Sequence, residues 1–476
     1  HSLRLYNMYC RMLLFFVFAF IQTLYFGLFF VFVVVVVHIG IDDTDSVNGG
    51  CTTYVAAVAV RELLLKGVRF ADYPNLIRLN PNVPWKTRGN GAVALRLLVD
   101  DYDVLDIFDV VYDVLLRYYD KYDEKPQPVV AMYVGDVVEE LRVFSRSALS
   151  RIVSLDEAFS LVRKFNVYYR DVGRGVRGLI GGLAAIGEPL DRGDYTYELL
   201  VYRSFFERSL KRNVDEESVF EMDEKTYPYT FNNVDRKDGR VLLTPHGPDP
   251  VILGIRGEEP DLLVKALDMV RIYDKIERWM IFRSNQGTDA HLINARLSDV
   301  SPYMSVVVNG IVWSKPVVMP GGHVFFMLND GTGVINVAVY KETGDLNVFA
   351  RKLVLGDVIS VGGGIKPGPN GLNLNAERIT VIKAVERKIK KNPRCPTCNV
   401  SMSSMGHNQG YRCRKCGYIS KESPIIITIT DQDLESSKVH LQSPKARRHL
   451  TKPLERYGHE KQYFKYGTLY EPWHWP

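Results

Sequence analysis

Cysteine is scarce: the 476 residues contain six, four of them in two close pairs. That usage excludes a disulfide-stapled scaffold and points to metal ligation in a reducing compartment. No charge sign dominates either. Sixty Lys and Arg against 55 Asp and Glu leave a formal net charge of +5, so any nucleic-acid contact has to come from local patches. The P-loop order G-x-x-x-x-G-K-[ST] is missing, which excludes that route to a nucleotide site. Long apolar runs are confined to Met12–Val37, broken only by Gln22, Thr23 and Gly27. The run is long enough to span a membrane, yet it has no small-residue cleavage site and no linker before a core strand. A strand cannot sit in a protein core and in lipid at once. The chain also begins with His1, and Phe, Leu, Tyr and Ile are what AT-rich upstream DNA gives when translated. We therefore favour a mis-set start or fragment end over an anchor for residues 1–32, a membrane-anchored form standing only if that stretch is translated. The chemistry is expected to begin near Val33 in a cytoplasmic chain with no membrane role.

What is present is organised around His38–Ser46 and its continuation to Tyr54. A buried strand, Val33 to Ile41, ends in Asp42, Asp43 and Asp45; Gly49 and Gly50 follow, and a helix is expected from Thr52 to Lys66. Clustered carboxylates at the end of an apolar strand are costly unless a cation neutralises them. Hard oxygen ligands suit Mg²⁺ with a phosphate substrate, and the N-terminus of a helix suits the same phosphate. The spacing is also that of an Asx-rich turn with Thr52 as N-cap.

A length of 476 residues implies three or four domains. Asn80–Ala92 is a Pro- and Gly-punctuated loop between two strands, in which Lys86, Thr87, Arg88, Gly89 and Gly91 offer charge and free N–H groups to phosphate; incidental surface charge is the alternative. Gly173–Gly187 contains G-x-G-x-x-G, but no long strand precedes it and no acidic residue follows at the dinucleotide spacing, so a Rossmann site is rejected. It is either a close backbone approach to a ligand, with Arg174 and Arg177 as anion partners, or a tightly packed Gly/Ala helix. Residues 195–285 alternate as a small ferredoxin-like α+β unit, with a helix expected over Glu259–Arg278. The polar run Phe282–His291 is denser in donors and acceptors than a passive linker needs. Five short strands between Met304 and Ile382 suggest an OB-fold β-barrel, a platform for single-stranded nucleic acid. Cys395, Cys398, Cys413 and Cys416 form C-x2-C-x14-C-x2-C, four thiolates for a closed structural Zn²⁺ site. Tyr411, Arg412, Arg414 and Lys415 make that ribbon basic and aromatic, a fit for RNA. Cys51 reads as buried near the metal rather than nucleophilic. Lys445–Lys452 reads as a basic tail suited to phosphate backbone, or as a solvated helix face.

Ile39–Ser46 with Cys51–Tyr54, the Asn80–Ala92 loop, Gly173–Gly187, Pro245–Pro250, Phe282–Leu292, the OB-fold and the ribbon together resemble the archaeal isoleucine-tRNA 2-agmatinylcytidine synthetases. The resemblance covers about Val33 to Lys452 in the family's domain order. It implies a multidomain α+β chain: an atypical kinase-like, ATP-binding α/β domain (33–170), a ferredoxin-like domain (171–285), an OB-fold (286–388), a zinc ribbon (389–422) and a basic tail (423–476). The implied activity is a ligase reaction on isoleucine tRNA with a CAU anticodon. The wobble cytidine is activated with ATP and its ring oxygen replaced by agmatine, so that the anticodon reads AUA instead of AUG. Asp42, Asp43 and Asp45 are then expected to hold Mg²⁺ on ATP, and Thr52 matches the residue that the family self-phosphorylates. Lys86, Arg88, Gly89 and Arg174 are expected near phosphate, and no obligate protein partner is implied. Agmatine, a dication, is expected at acidic groups where the first two domains meet. Two other readings stay open on the sequence. A non-catalytic tRNA-binding protein leaves three aspartates at a strand end unexplained; a related ligase would take another amine, such as lysine.

Overall fold

The computed structural model describes residues 35–100, 103–207, 209–422, 425–429, 432–463 and 469–476; the extension expected at 1–32 and the strand start at Val33 lie outside them. β1 (Val35–Asp42) is buried along its middle on both faces, the mark of a strand covered front and back. α1 (Thr52–Leu65), β2 (Asn75–Arg78), β3 (Gly91–Val99), α2 (Val104–Tyr118) and β4 (Val129–Val134) follow. β1 lies between β3 and β4 and is antiparallel to both, and β2 pairs antiparallel with β3. The order β4-β1-β3-β2 is that of a ferredoxin-like βαββαβ unit. α3 (Glu139–Ser150), α4 (Leu155–Phe165), β5 (Tyr168–Asp171) and α5 (Gly178–Gly187) complete this half.

The same arrangement then recurs. β6 (Thr196–Tyr202), α6 (Glu216–Thr226), β7 (Thr230–Phe231), β8 (Val251–Gly257), α7 (Pro260–Met269) and β9 (Arg278–Ser284) pair in the order β9-β6-β8-β7. This is the expected ferredoxin-like unit, although α7 ends at Met269 rather than Arg278. Ile272 bridges Val214, and Asp215 donates its N–H to the Arg271 carbonyl, so the chain is already extended there. The units join through β2 and β9, parallel at Asn75–Arg283 and Leu76–Ser284. One sheet and one apolar core therefore run across residue 170. Equivalent strands point in opposite directions in the two units, so right-handed crossovers put α1 and α2 on one face of the sheet and α6 and α7 on the other. The helix-free face of the second unit thus opens beside the start of α1.

α5 packs on β1 at backbone distance. A Cβ on Gly40 would overlap the Gly182 carbonyl oxygen, and one on Gly181 would strike the Asp42 carboxylate. The glycine-dense segment is therefore a helix pressed against the strand that carries the aspartates.

The next domain contains β10 (Ile293–Asn294), β11 (Ser305–Val312), β12 (Val317–Val318), β13 (Val324–Asn329), β14 (Val334–Val339), α8 (Asp345–Ala350), β15 (Val358–Gly368) and β16 (Gly371–Lys383). β11 pairs with β15, β15 with β16, β16 with β14, β14 with β13, and β13 returns to β11. That closed five-stranded ring, with α8 between its third and fourth strands, is an OB-fold with its own core. A three-stranded ribbon (403–404, 411–412, 419–420) follows. β17 (Val439–Leu441) then adds to β16, and His474–Trp475 pair with β9. Trp473 is buried beside Phe70 and Tyr73. The basic stretch Lys445–Lys452 accordingly lies over the junction of sheet and barrel, not as a free tail. Arg448 Nε stands 3.1 Å from Glu377, and Arg456 grips Asp194 and Glu258, acidic partners that are remote in sequence. Among the described residues, no helix is long and apolar enough to cross a membrane.

Candidate active site

Beyond β1 the chain turns through residues 43–51, and the loop between β2 and β3 folds over that turn. Between them is a cleft of about 730 Å³, open to solvent. Asp42, Asp43, Asp45, Thr52, Lys86, Arg88 and Arg177 line it, together with apolar residues that include Leu79, Val83, Trp85, Ile152 and Ile180. The loop is anchored from the barrel: Asn80 donates to the Tyr303 carbonyl at 2.9 Å, Asn82 to Ser305 Oγ at 2.8 Å, and Lys366 to the Asn82 carbonyl at 2.7 Å.

Burial, and after it the charge of Asp43, pushes the Asp42 carboxyl well above its ordinary value. Asp43 adopts φ +59°, a left-handed conformation that side chains rarely hold without structural compensation. Its Oδ2 accepts from the Gln127 N–H at 3.0 Å and meets Arg177 at 2.7 Å, yet burial still leaves this carboxyl raised. Asp45 Oδ1 accepts from the Thr52 N–H at 2.9 Å and from its hydroxyl at 3.2 Å, while Oδ2 meets Arg88 at 3.1 Å. Asp45 thereby caps α1, which Cys51 at the N-cap position does not do through its side chain. Thr44 donates to the Thr52 hydroxyl at 2.9 Å.

These carboxylates do not form a ready-made three-ligand cage. Among the described residues, only the four cysteines bring three or more ligand atoms within 4.8 Å of one another. Asp43 and Asp45 each hold an arginine, whereas Asp42 has no ion-pair partner among the described residues. The set fits a magnesium ion in its usual manner, taken by one or two carboxylates with phosphate oxygens and waters completing the octahedron.

A second cleft, of about 900 Å³, lies on the helix-free face of the second unit. It shares Asp45, Thr52 and Arg88 with the first cleft and adds Cys51, Glu198, Asp249, Arg256 and His449. Arg88 stands between the two: besides Asp45 it faces Asp249 at 3.9 Å, and it donates to the carbonyls of Ser46, at 3.1 Å, and Gly50. Burial opposes its charge, but Asp45 and Asp249 more than restore it, so Arg88 is a permanent cation. A third, basic cleft adjoins, lined by Arg78, Lys86, Arg88, Arg447, Arg448 and His449. Lys86 reaches the first and third clefts; burial, and then Arg448, lower its pKa. Gly89 lines the second and third clefts but not the first. Arg174 reaches none of the three. Its guanidinium donates to the Asp123 carbonyl at 2.6 Å, to that of Asp120 at 3.3 Å and to that of Lys121, bracing the loop between α2 and β4. The Cys51 thiol, 3.2 Å from Thr53 Oγ1, is pushed by burial up to about 12, which removes it as a nucleophile at neutral pH.

The run 282–291 seals the junction. Asn285 pairs with both backbone groups of Arg78, at 2.8 and 3.0 Å; Asp289 binds Arg378 at 2.6 Å; His291 meets Glu377 at 3.1 Å. In the ribbon, Cys395, Cys398, Cys413 and Cys416 converge, with Cys395 Sγ and Cys416 Sγ 3.5 Å apart; four thiolates suit tetrahedral zinc. Sequence reasoning had not singled out Glu198, Arg256 or His449 as site residues. The available signal was a pair of charged residues inside two otherwise apolar strands, β6 and β8.

A sheet with an acidic, arginine-bridged double cleft, followed by an OB-fold and a zinc ribbon, defines a multidomain RNA-modifying enzyme. Four family models match: the TiaS TCKD domain over 38–101, the TiaS FLD domain over 176–291, an OB-fold nucleic acid binding domain over 306–382 and the TiaS C-terminal zinc ribbon domain over 392–430. The isoleucine-tRNA 2-agmatinylcytidine synthetase TiaS of Staphylothermus marinus is 42% identical over 440 residues, covering 90% of this chain and 95% of that protein. Two solved structures align over 88% of this chain and 97% of theirs. One is a complex of TiaS with its isoleucine tRNA and ATP (37% identity, TM-score 0.74). The other is a complex of TiaS with that tRNA, AMPCPP and agmatine (35% identity, TM-score 0.73). The chain belongs to the isoleucine-tRNA 2-agmatinylcytidine synthetase family.

Proposed function

We propose that this chain conjugates agmatine to the wobble cytidine of isoleucine tRNA with a CAU anticodon, using ATP, so that the anticodon reads AUA instead of AUG. The carrying observation is the meeting of two clefts at Thr52 and Arg88. One has the acidic turn and apolar wall of a nucleotide site, and the other opens on the sheet face beneath the basic segment. Support comes from the named activity of relatives aligned along almost their whole length and from a relative's complex with isoleucine tRNA, AMPCPP and agmatine.

A pyrimidine carbonyl oxygen is a poor leaving group until phosphorylated, and phosphoryl transfer needs positioning and charge stabilisation more than covalent chemistry. In the proposed course the ring oxygen accepts a phosphoryl group. The agmatine amine then bonds to that carbon and loses a proton, while phosphate departs with the oxygen. The net change is gain of agmatine and loss of water. One or two of Asp42, Asp43 and Asp45 would hold Mg²⁺, which would neutralise phosphate charge there. The Thr52 hydroxyl, oriented by Asp45 and Thr44, accepts phosphate in self-phosphorylation. Arg88 faces both clefts and serves transferring phosphate from either, with Lys86 contacting phosphate in the first cleft and Gly89 in the second; Arg174 supports the loop behind the aspartates. Asp45, Glu198 and Asp249 are the acidic groups that line the second cleft, which receives the dication. The barrel, the zinc-bound ribbon and the basic segment grip a tRNA whose cytidine is turned out of its stack, in the cytoplasm.

The test is incorporation of labelled agmatine into isoleucine tRNA by wild type and Asp43→Ala, with lysine as a competing amine. The reading requires ATP-dependent incorporation that Asp43→Ala abolishes without weakening tRNA binding, and that excess lysine does not suppress. Full activity in Asp43→Ala would sink it.

A further inference from the structure

We propose that His449 is the hydrogen-bond donor that engages the acceptor edge of the target pyrimidine in the second cleft. The proposal deepens the function above and rests on it. Its first ground is placement. The segment that crosses the junction is pinned by backbone bonds, Gly287 N–H to the His449 carbonyl and Asp289 N–H to the Leu450 carbonyl, both 2.8 Å, and it carries the imidazole to the border of the second and third clefts.

The second ground is a fixed tautomer. Arg256 Nη2 lies 3.2 Å from His449 Nδ1. A guanidinium only donates, so Nδ1 accepts and the ring proton resides on Nε2. Arg256 is itself held by Glu198, Nε to Oε1 at 2.9 Å. A chain from Glu198 through Arg256 therefore orients the ring, as an outer hydrogen-bond partner orients a functional histidine.

The third ground is an unanswered donor. Nε2 has no protein partner among the described residues, and its edge borders the space left by Gly89, where a Cβ would stand 3.0 Å from Nε2 and 2.9 Å from Cδ2. The charged groups facing this ring are cations: Arg78 first, with burial next, and then Arg256 and Lys86 hold its pKa well below the ordinary value. The imidazole is therefore a neutral donor at working pH. Such a donor matches a neutral acceptor, the carbonyl oxygen or ring nitrogen of a pyrimidine, and it does so without adding a charge to a site already crowded with arginine.

Three variants separate this role from mere packing. His449→Gln places an N–H near the Nε2 position, His449→Asn keeps an acceptor near Nδ1 for Arg256 but removes the outward donor, and His449→Ala removes both. Agmatine incorporation is measured against tRNA concentration at saturating ATP and agmatine, alongside tRNA affinity and thermal melting. Expected are a fall of about 10²-fold in kcat/KM for His449→Asn and His449→Ala and retention within about tenfold for His449→Gln, with wild-type tRNA affinity and melting in all three. Wild-type rates in His449→Asn, or a His449→Gln as impaired as His449→Asn, would overturn the proposal. Absence of incorporation by wild type would overturn the function itself, so the two failures are distinguishable.

Discussion

Thr52 and Asp45 are joined twice, through the Thr52 N–H at 2.9 Å and its hydroxyl at 3.2 Å, both to the same Asp45 oxygen. The carboxylate thus starts the helix and orients the hydroxyl that faces both clefts. Thr52→Ser keeps both bonds and retains product formation, whereas Thr52→Ala lowers it by on the order of 10³-fold. The loss of two buried hydroxyl bonds, about 1–2 kcal/mol in total, leaves the Ala variant folded. Rates and melting curves of the pair check this.

Asp42 opposes stability in the service of function. Its folded pKa is raised, so the folded chain binds this proton more tightly than the unfolded chain. The stabilising contribution of the protonated form is complete below the unfolded pKa and is lost as pH rises through the folded value. Asp42→Asn lacks that ionisation. It should melt several degrees above wild type near pH 8, with the gap closing as pH falls toward the ordinary carboxylate range, and it should be inactive. Paired melts across pH check the sign; a variant that melts lower near pH 8 contradicts it.

Arg88 meets two carboxylates and two carbonyls at once, a fork that a lysine ammonium cannot reproduce. Arg88→Lys should lower kcat/KM by about 10–10²-fold while tRNA affinity stays unchanged. Steady-state kinetics with a binding titration separate the two effects.

Gly89 leaves no free room for a Cβ. Gly89→Ala would bring a methyl within 2.9 Å of Arg78 Nη1 and of the His449 ring. Because those are side-chain ends, the fold should survive and the second cleft should distort, with activity lost and ATP affinity kept. A melt, an ATP titration and an agmatine assay on one preparation check all three.

Among the described residues, the ribbon core consists of Cys395, Met402 and Cys413 with Cys398 and Tyr411 packed against them, too little apolar area to order it without metal. One zinc per chain is expected by elemental analysis. Chelation, or Cys413→Ser, should unfold the ribbon and weaken tRNA binding while the melting of the large sheet is preserved.

Local chemistry was legible in the sequence because it is carried by contiguous residues. The Asp42–Asp45 turn, the loop with Lys86 and Arg88, and the paired cysteines all lie within short spans, and the OB-fold shows in strand patterning. Pairing between remote strands was not legible. Nothing local marks Asn75 as the partner of Arg283, so the continuous sheet and the repeated βαββαβ order had to be seen. Arg174 and Arg177 look alike in sequence, three residues apart; only α5's seat on β1 decides that Arg177 meets Asp43 while Arg174 turns to the loop behind it. His449 sits in a basic run that reads as a phosphate contact or a solvated helix face, and its meeting with Arg256 is a tertiary fact.

The most direct measurement is mass spectrometry of nucleosides from unmodified isoleucine tRNA after incubation with the protein, ATP, Mg²⁺ and agmatine. The account predicts one cytidine heavier by agmatine less water, formed only when ATP is present. Intact cytidine with tRNA bound and ATP unconsumed would contradict it.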